Sequence, residues 1–343
     1  MMQPTTRDEL RNLIDECIAK EGTDCDLNHI DISLVTDMSE LFSESYFNGD
    51  ISQWNVAHVT NMHAMFENSP FQGDISRWDV SNVTNMSHMF SGSTFQGDIS
   101  TWNVSKVQTM AHMWMMSKFQ GDLSGWDTSA VQAMRHMFFA SVFNGDISRW
   151  DVSNVIDMSY MFSRSPFNQD ISRWNTKSVN SMESMFSDSY FSQDISRWHV
   201  SNVQDMSSMF SGSYFSSDIS SWRVHPEAQT YGMFFNIEKE SLKGLNLPNT
   251  SSFILKLLNY EDAKQWVDGH KESIYHWQFY LAAFEHDVEV LNDDVKDHLD
   301  QYRALLQGLD LGLLKSADFL HQAWQQRVSP CVEQSIEPFN FML

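Results

Sequence analysis

Tryptophan recurs in this chain at one fixed interval, and that interval sets what the chain can fold into. Trp54, Trp78, Trp102, Trp126, Trp150, Trp174, Trp198 and Trp222 stand 24 residues apart, with no insertion to break the register. Three further columns keep the same period: Asp50 to Asp218, Phe47 to Phe215 and Met38 to Met206. Self-similarity at such a period is the signature of a repeat array. Each unit is too small to bury its own apolar face and must stack on its neighbours.

One unit, residues 71–90, shows the expected local structure. Trp78 and Val80 alternate with a polar residue, as a short strand requires. Met86, Met89 and Phe90 follow helical spacing, which predicts one or two helical turns. Gly73 and Asp74 supply a turn before the strand. Ile75, Trp78 and Val80 fill the three apolar places of an L-x-x-L-x-L rhythm. The expected fold class is therefore an α/β repeat solenoid, leucine-rich-repeat-like, with 24-residue coils of short strand plus short helix. The first coil is degenerate, with Ile30 in the tryptophan place; the last keeps Met233 and Phe234 but has Glu227 where Val203 stands one coil earlier.

The flanks read differently. Leu10, Leu13, Ile14, Cys17 and Ile18 give helical spacing over residues 7–19, with Thr6 as N-cap and Glu9 completing a capping box. After Phe235 the period vanishes. From Ser251 onward the pattern is helical, as in Ile274, Trp277, Leu281, Phe284, Val288 and Leu291, and fits a unit of three or four helices. The domains expected are an N-terminal cap helix (1–25), the solenoid (26–235) and an all-α C-terminal domain (236–343).

Two stretches carry a family resemblance. Residues 47–62 begin Phe47-Asn48-Gly49-Asp50-Ile51-Ser52-Gln53-Trp54, and the first coil enters as Asp26-Leu27-Asn28-His29-Ile30-Asp31. Across roughly residues 7–235 the chain resembles the BspA-like leucine-rich-repeat family, whose members often bear mycoplasma-lipoprotein-type repeats. The resemblance implies a bacterial or protist protein, often a surface one that binds host or partner proteins, and it implies no catalytic residue. Against that pattern, the residues near Met1 lead us to expect neither a signal peptide nor a lipidation cysteine there.

Charge narrows the partners. The net charge is −23, and acids outnumber bases in all three segments. Phosphate binding needs a basic face, so nucleic acid and anionic membrane surfaces are not expected ligands. A basic protein partner is compatible with this charge, and so is simple solubility. No apolar run approaches the ~18 residues of a membrane span. The start, Met1 to Glu9, has no basic stretch followed by an apolar core. Cys17, Cys25 and Cys331 form neither a disulfide framework nor a CxxC motif and suit a reducing compartment. The location expected is the cytoplasm, or export without a recognisable signal peptide, with the resemblance favouring the surface.

Each column has a structural and a functional reading. The tryptophans suit a core better than a sugar platform. The Asp column suits turns, whose backbone N–H groups it would cap, better than calcium, which wants six to eight converging oxygens. His88, His112 and His136 repeat at one position on three coils, with imidazoles ~5 Å apart. They are a candidate metal or pH site, although Tyr160, Ser184 and Ser208 at the same place suggest a tolerant, solvated position. The outward places beside each tryptophan are the candidate binding face: Asn55, Asp79, Asn103, Asp127, Asp151, Asn175 and His199 after it, and Arg77, Arg149, Arg173 and Arg197 before it. In leucine-rich-repeat geometry they face the concave surface. Arg149, Arg173 and Arg197 make a basic stripe there, either for a ligand or for pairing with Asp79 and Asp151.

No HExxH, GxSxG or phosphate-binding loop appears, and His270, His276, His286, His298 and His321 are scattered among acids. No cofactor or metal is expected. The function expected is non-enzymatic recognition of a protein partner, whose identity is open, through the concave face. Two alternatives stay open: an acidic inhibitor or immunity-type protein masking a basic enzyme, and an effector with an activity in the helical C-terminal domain.

Overall fold

A computed structural model describes residues 2–234 apart from Ser220, Pro226, Glu227 and Tyr231. The expected helical domain at 236–343 and its histidines lie outside the described residues.

The chain opens on helix α1, Arg7–Glu21. Thr6 caps it: its hydroxyl oxygen accepts from the Glu9 N–H at 3.2 Å. The Glu9 carboxylate reaches back to the N–H of Thr5 at 2.7 Å, one residue beyond the place a capping box predicts. The helix ends at Gly22, where φ is +91° and the N–H closes on the Ile18 carbonyl. Leu10 and Ile14 are buried, and Leu13, Cys17 and Ile18 pack partly against the same core. Arg7 bonds the Ser39 hydroxyl and Arg11 bonds the Glu40 carbonyl, so α1 lies on the first repeat unit.

From there the chain runs as 24-residue units in register. A parallel bridge joins Asp37 to Asn61, Asn61 to Asn85, and so on through Thr109, Ala133, Asp157, Ser181 and Asp205 to Gln229. Next to each bridge, alternate N–H groups point at the following unit. Met62, Ala64, Phe66 and Asn68 donate to the carbonyls of Asn85, Ser87, Met89 and Ser91, at 2.7–2.9 Å. The intervening N–H groups stay inside the unit, Met65 to Met62 and Glu67 to Ala64. This division satisfies the backbone in two directions at once.

That division also replaces the expected short helix. The Met-x-x-Met-Phe segment is a pair of successive tight turns, with φ positive at Ala64 and Asn68 and at their equivalents in later units. A right-handed helix has no place for such residues, and its i−4 bonds would remove the N–H groups that join the units. The expected strand at Trp-x-Val is likewise a corner: Trp54 N–H closes on the Ile51 carbonyl and Val59 N–H on that of Val56. Asp50 and Asn55 cause this, since their Oδ1 atoms take the N–H groups of Ser52 and Ala57. Such side-chain bonds compete with a strand ladder. Among the described residues the one helix is α1, and no bridge extends into a longer strand.

The core is a set of aromatic columns. Phe42, Phe66 and Phe90 stack on one another at 5.5 Å, and Phe162, Phe186 and Phe210 continue the column at 5.8–5.9 Å. A second column, Phe47, Phe71, Phe95 and Phe119, runs beside it at 6.1–6.4 Å. All these rings are buried. Full burial of one such side chain stabilises by about 1.5–3 kcal/mol, so the identical columns make neighbouring units depend on one another.

Candidate functional site

The eight column tryptophans belong to the core. Each is 2–4% exposed, and each indole N–H bonds the carbonyl 27 residues earlier, as in Trp54 to Leu27 and Trp78 to Ile51. No ring face is free to stack on a sugar.

The Asp column closes turns. Asp74, Asp98, Asp122, Asp146, Asp170 and Asp194 each accept the N–H of the serine two residues on, at 2.8–3.0 Å. Those serines, through N–H and hydroxyl together, hold the carboxylates below their usual range. Among the described residues no three His, Cys, Asp or Glu side chains gather as a metal site would need.

The residues after each tryptophan are exposed, yet most carry a structural bond as well. Asn55, Asp79, Asn103, Asp127, Asp151 and Asn175 each accept the N–H of the residue two places on. His199 differs: the Thr176 hydroxyl bonds both its N–H and its carbonyl, leaving the imidazole exposed.

Arg77, Arg149, Arg173 and Arg197 are exposed and recur at one position. They lie close enough to Asp74, Asp146, Asp170 and Asp194 to favour the ionised carboxylates, after the serine bonds. None of the four forms an ion pair within 4.0 Å among the described residues, with Asp79 and Asp151 or with any other acid.

The histidines form a row. His88, His112 and His136 stack at 4.3 and 4.6 Å, and Tyr160 continues the stack at 4.4 Å. His63 meets His88 edge-on at 5.5 Å. His88 Nδ1 contacts the Glu67 carboxylate at 3.3 Å, and the Tyr160 hydroxyl donates to Glu183 at 2.7 Å. The position expected to be solvated is half-buried. Burial, with His88, His136 and Arg135 adding to it, pushes His112 down to about 4. Burial and then Arg135 push His136 to about the same value, against the opposing pull of Asp157. The His112 and His136 rings are therefore neutral at pH 7.

A family model described as a Mycoplasma protein of unknown function, DUF285, matches residues 9–115, 70–166 and 140–246 in three overlapping passes. The chain belongs to that family. No curated protein and no solved structure matches it. The DUF285 match runs from within α1 through the array of units, and marks the chain as a bacterial repeat protein. In this DUF285 chain no helix among the described residues is long and apolar enough to cross a membrane.

The residues that sequence reasoning missed cluster beside the histidine row: Arg135, Phe139, Arg164 and Glu183. Counting 24 residues from His136 finds Tyr160 as the next ring. The 24-residue spacing predicted the row of imidazoles; the cavity beside it leaves no mark in the sequence.

Proposed function

We propose that this DUF285 chain is a non-enzymatic recognition protein of the BspA-like leucine-rich-repeat type. In this reading the 24-residue units form a solenoid, and the face beside the tryptophans binds a protein partner. The observation that supports it is a division of labour among columns. Trp, Phe, Met and Asp are consumed by packing and turns. Arg149, Arg173 and Arg197 stand exposed, in register and without an ion pair among the described residues, on a chain of net charge −23. Arginine is favoured at interfaces because its planar fork matches carboxylates. Aligned arginines one unit apart suit a partner with spaced acidic or carbonyl acceptors.

The test is partner capture. Wild type and a variant with Arg149→Ala, Arg173→Ala and Arg197→Ala are used as baits, with captured proteins identified by mass spectrometry. Loss of a specific partner with an unchanged melting temperature supports the reading. Full capture by the variant sinks it. Capture that survives and falls steeply with salt points instead to the acidic-inhibitor alternative, whose charge contacts are screened.

A further inference from the structure

Two left-handed residues occur in each unit, and one place before the second stands a further column. It is bulky at Met115 and Phe139 and falls to serine at Ser163, Ser187 and Ser211. Where it falls, a cavity of about 480 Å³ opens, with Ser163 and Ser187 in its lining and Phe139, His136 and Tyr160 as its aromatic wall.

The polar groups of this cavity are unequally satisfied. Arg164 pairs with Asp188 at 3.6 Å and lies over the Phe139 ring at 5.8 Å. Glu183 accepts the Tyr160 hydroxyl. Arg135 has no acid within 4.0 Å among the described residues; its Nε contacts only Nδ1 of the neutral His136, at 3.3 Å. Ser163, 3% exposed, lies in the lining beside them.

We propose that this cavity binds a single carboxylate carried on an aromatic or apolar group. Arg135 takes the carboxylate as a forked pair, Ser163 supplies one further hydrogen bond, and the carbon skeleton lies against Phe139 and Tyr160. Glu183 and Asp188 oppose a second negative charge, which excludes phosphate-like dianions. Arg135 and Arg164 together oppose a cation. The same chemistry is offered by a free amino-acid-sized acid and by an acidic side chain beside an aromatic one in a peptide. Arg135 stands fourteen residues before Arg149 in the unit, and the proof or failure of this site leaves the protein-binding reading untouched.

The experiment is calorimetric titration of the full chain with two acids, each against its amide. N-acetylphenylalanine is compared with N-acetylphenylalaninamide, and acetyl-Phe-Asp-amide with acetyl-Phe-Asn-amide. At least one acid should bind about tenfold more tightly than its amide, the usual weight of one charge-assisted pair. Arg135→Gln should erase that advantage, and Lys177→Gln, which removes an equal charge from another exposed position, should preserve it. Phe139→Ala should weaken acid and amide alike. The acid that shows the advantage assigns the source, small molecule or peptide. Equal binding of both acids and their amides, or an advantage that survives Arg135→Gln, overturns the proposal.

Discussion

The indole nitrogen of Trp126 donates a 3.1 Å hydrogen bond to the carbonyl oxygen of Ile99, one unit earlier. The same bond recurs at all eight column tryptophans, at 3.0–3.2 Å. The column therefore joins units by a directional bond as well as by area. The Ile99 carbonyl also accepts the Trp102 N–H, which closes the corner of its own unit.

Trp126→Phe should accordingly destabilise the array by about 2–3 kcal/mol, from one buried hydrogen bond and the space the smaller ring leaves. The urea midpoint of unfolding measures this. A midpoint within error of wild type would mean that the indole N–H contributes nothing across the unit boundary.

The scaffold was legible because its causes are compositional. Only large apolar side chains fill an interior column, and a period of 24 cannot hide eight tryptophans. Thr6 and Leu10 announced α1, and the Asp column announced turns. The form of each unit was not legible. Trp78-x-Val80 reads as a strand until the Asp79 carboxylate is seen to take the Ser81 N–H. Met86-x-x-Met89 reads as a helix until His88 is found at φ +60°, a conformation that histidine tolerates better than most residues but does not announce. One clue was present: the second left-handed column holds Asn68, Gly92, Asp188 and Gly212, the residue types that tolerate it best. The candidate site fared similarly. The Arg column was visible as a column, but its freedom from Asp79 and Asp151 depends on distances. The cavity beside Phe139 depends on one position shrinking to serine, which sequence alone reports as tolerance.

The left-handed column yields its own prediction. Met116 sits at φ +56° and is 62% exposed, at the place where Gly92 and Gly212 stand in other units. A left-handed residue with a Cβ carries about 1–2 kcal/mol of strain, while glycine adds about 0.5–1 kcal/mol of unfolded-state entropy. Met116→Gly loses little packing, so the net expected is a stabilisation of about 0.5–1 kcal/mol. A higher melting temperature confirms it. A fall would show that the exposed thioether makes contacts worth more than the strain.

Acid should loosen the histidine row. His112 and His136 are held near 4 in the fold against an ordinary value of 6.5. The unfolded chain therefore binds protons first. The stability due to the neutral rings is fully present above pH 6.5 and is lost as pH falls from there through about 4. Each ring contributes on the order of 1–2 kcal/mol after allowance for solvent screening. Melting temperatures measured between pH 7.5 and 4 should drop for wild type more than for a variant with His112→Gln and His136→Gln. Parallel curves would show that the rings titrate as they do in the unfolded chain.

The tryptophan that breaks the column rule supplies the sharpest contrast. Trp114 stands where the other units have Phe90, Phe138 and Phe162, fully buried and stacked on Phe90 at 4.6 Å and Phe119 at 4.1 Å. Its indole N–H has no hydrogen-bond partner among the described residues. A buried donor without an acceptor costs about 1–3 kcal/mol, comparable to the apolar contact that the larger ring adds. Trp114→Phe restores the column's own residue and removes the orphaned donor. It should leave stability unchanged or raise it by about 1 kcal/mol, where the same substitution at Trp126 lowers it. Comparing the two variants' urea midpoints tests the account internally, because both lose the same atoms. Equal losses would mean that the Trp114 N–H is satisfied, and that burial alone accounts for the stabilisation each tryptophan provides.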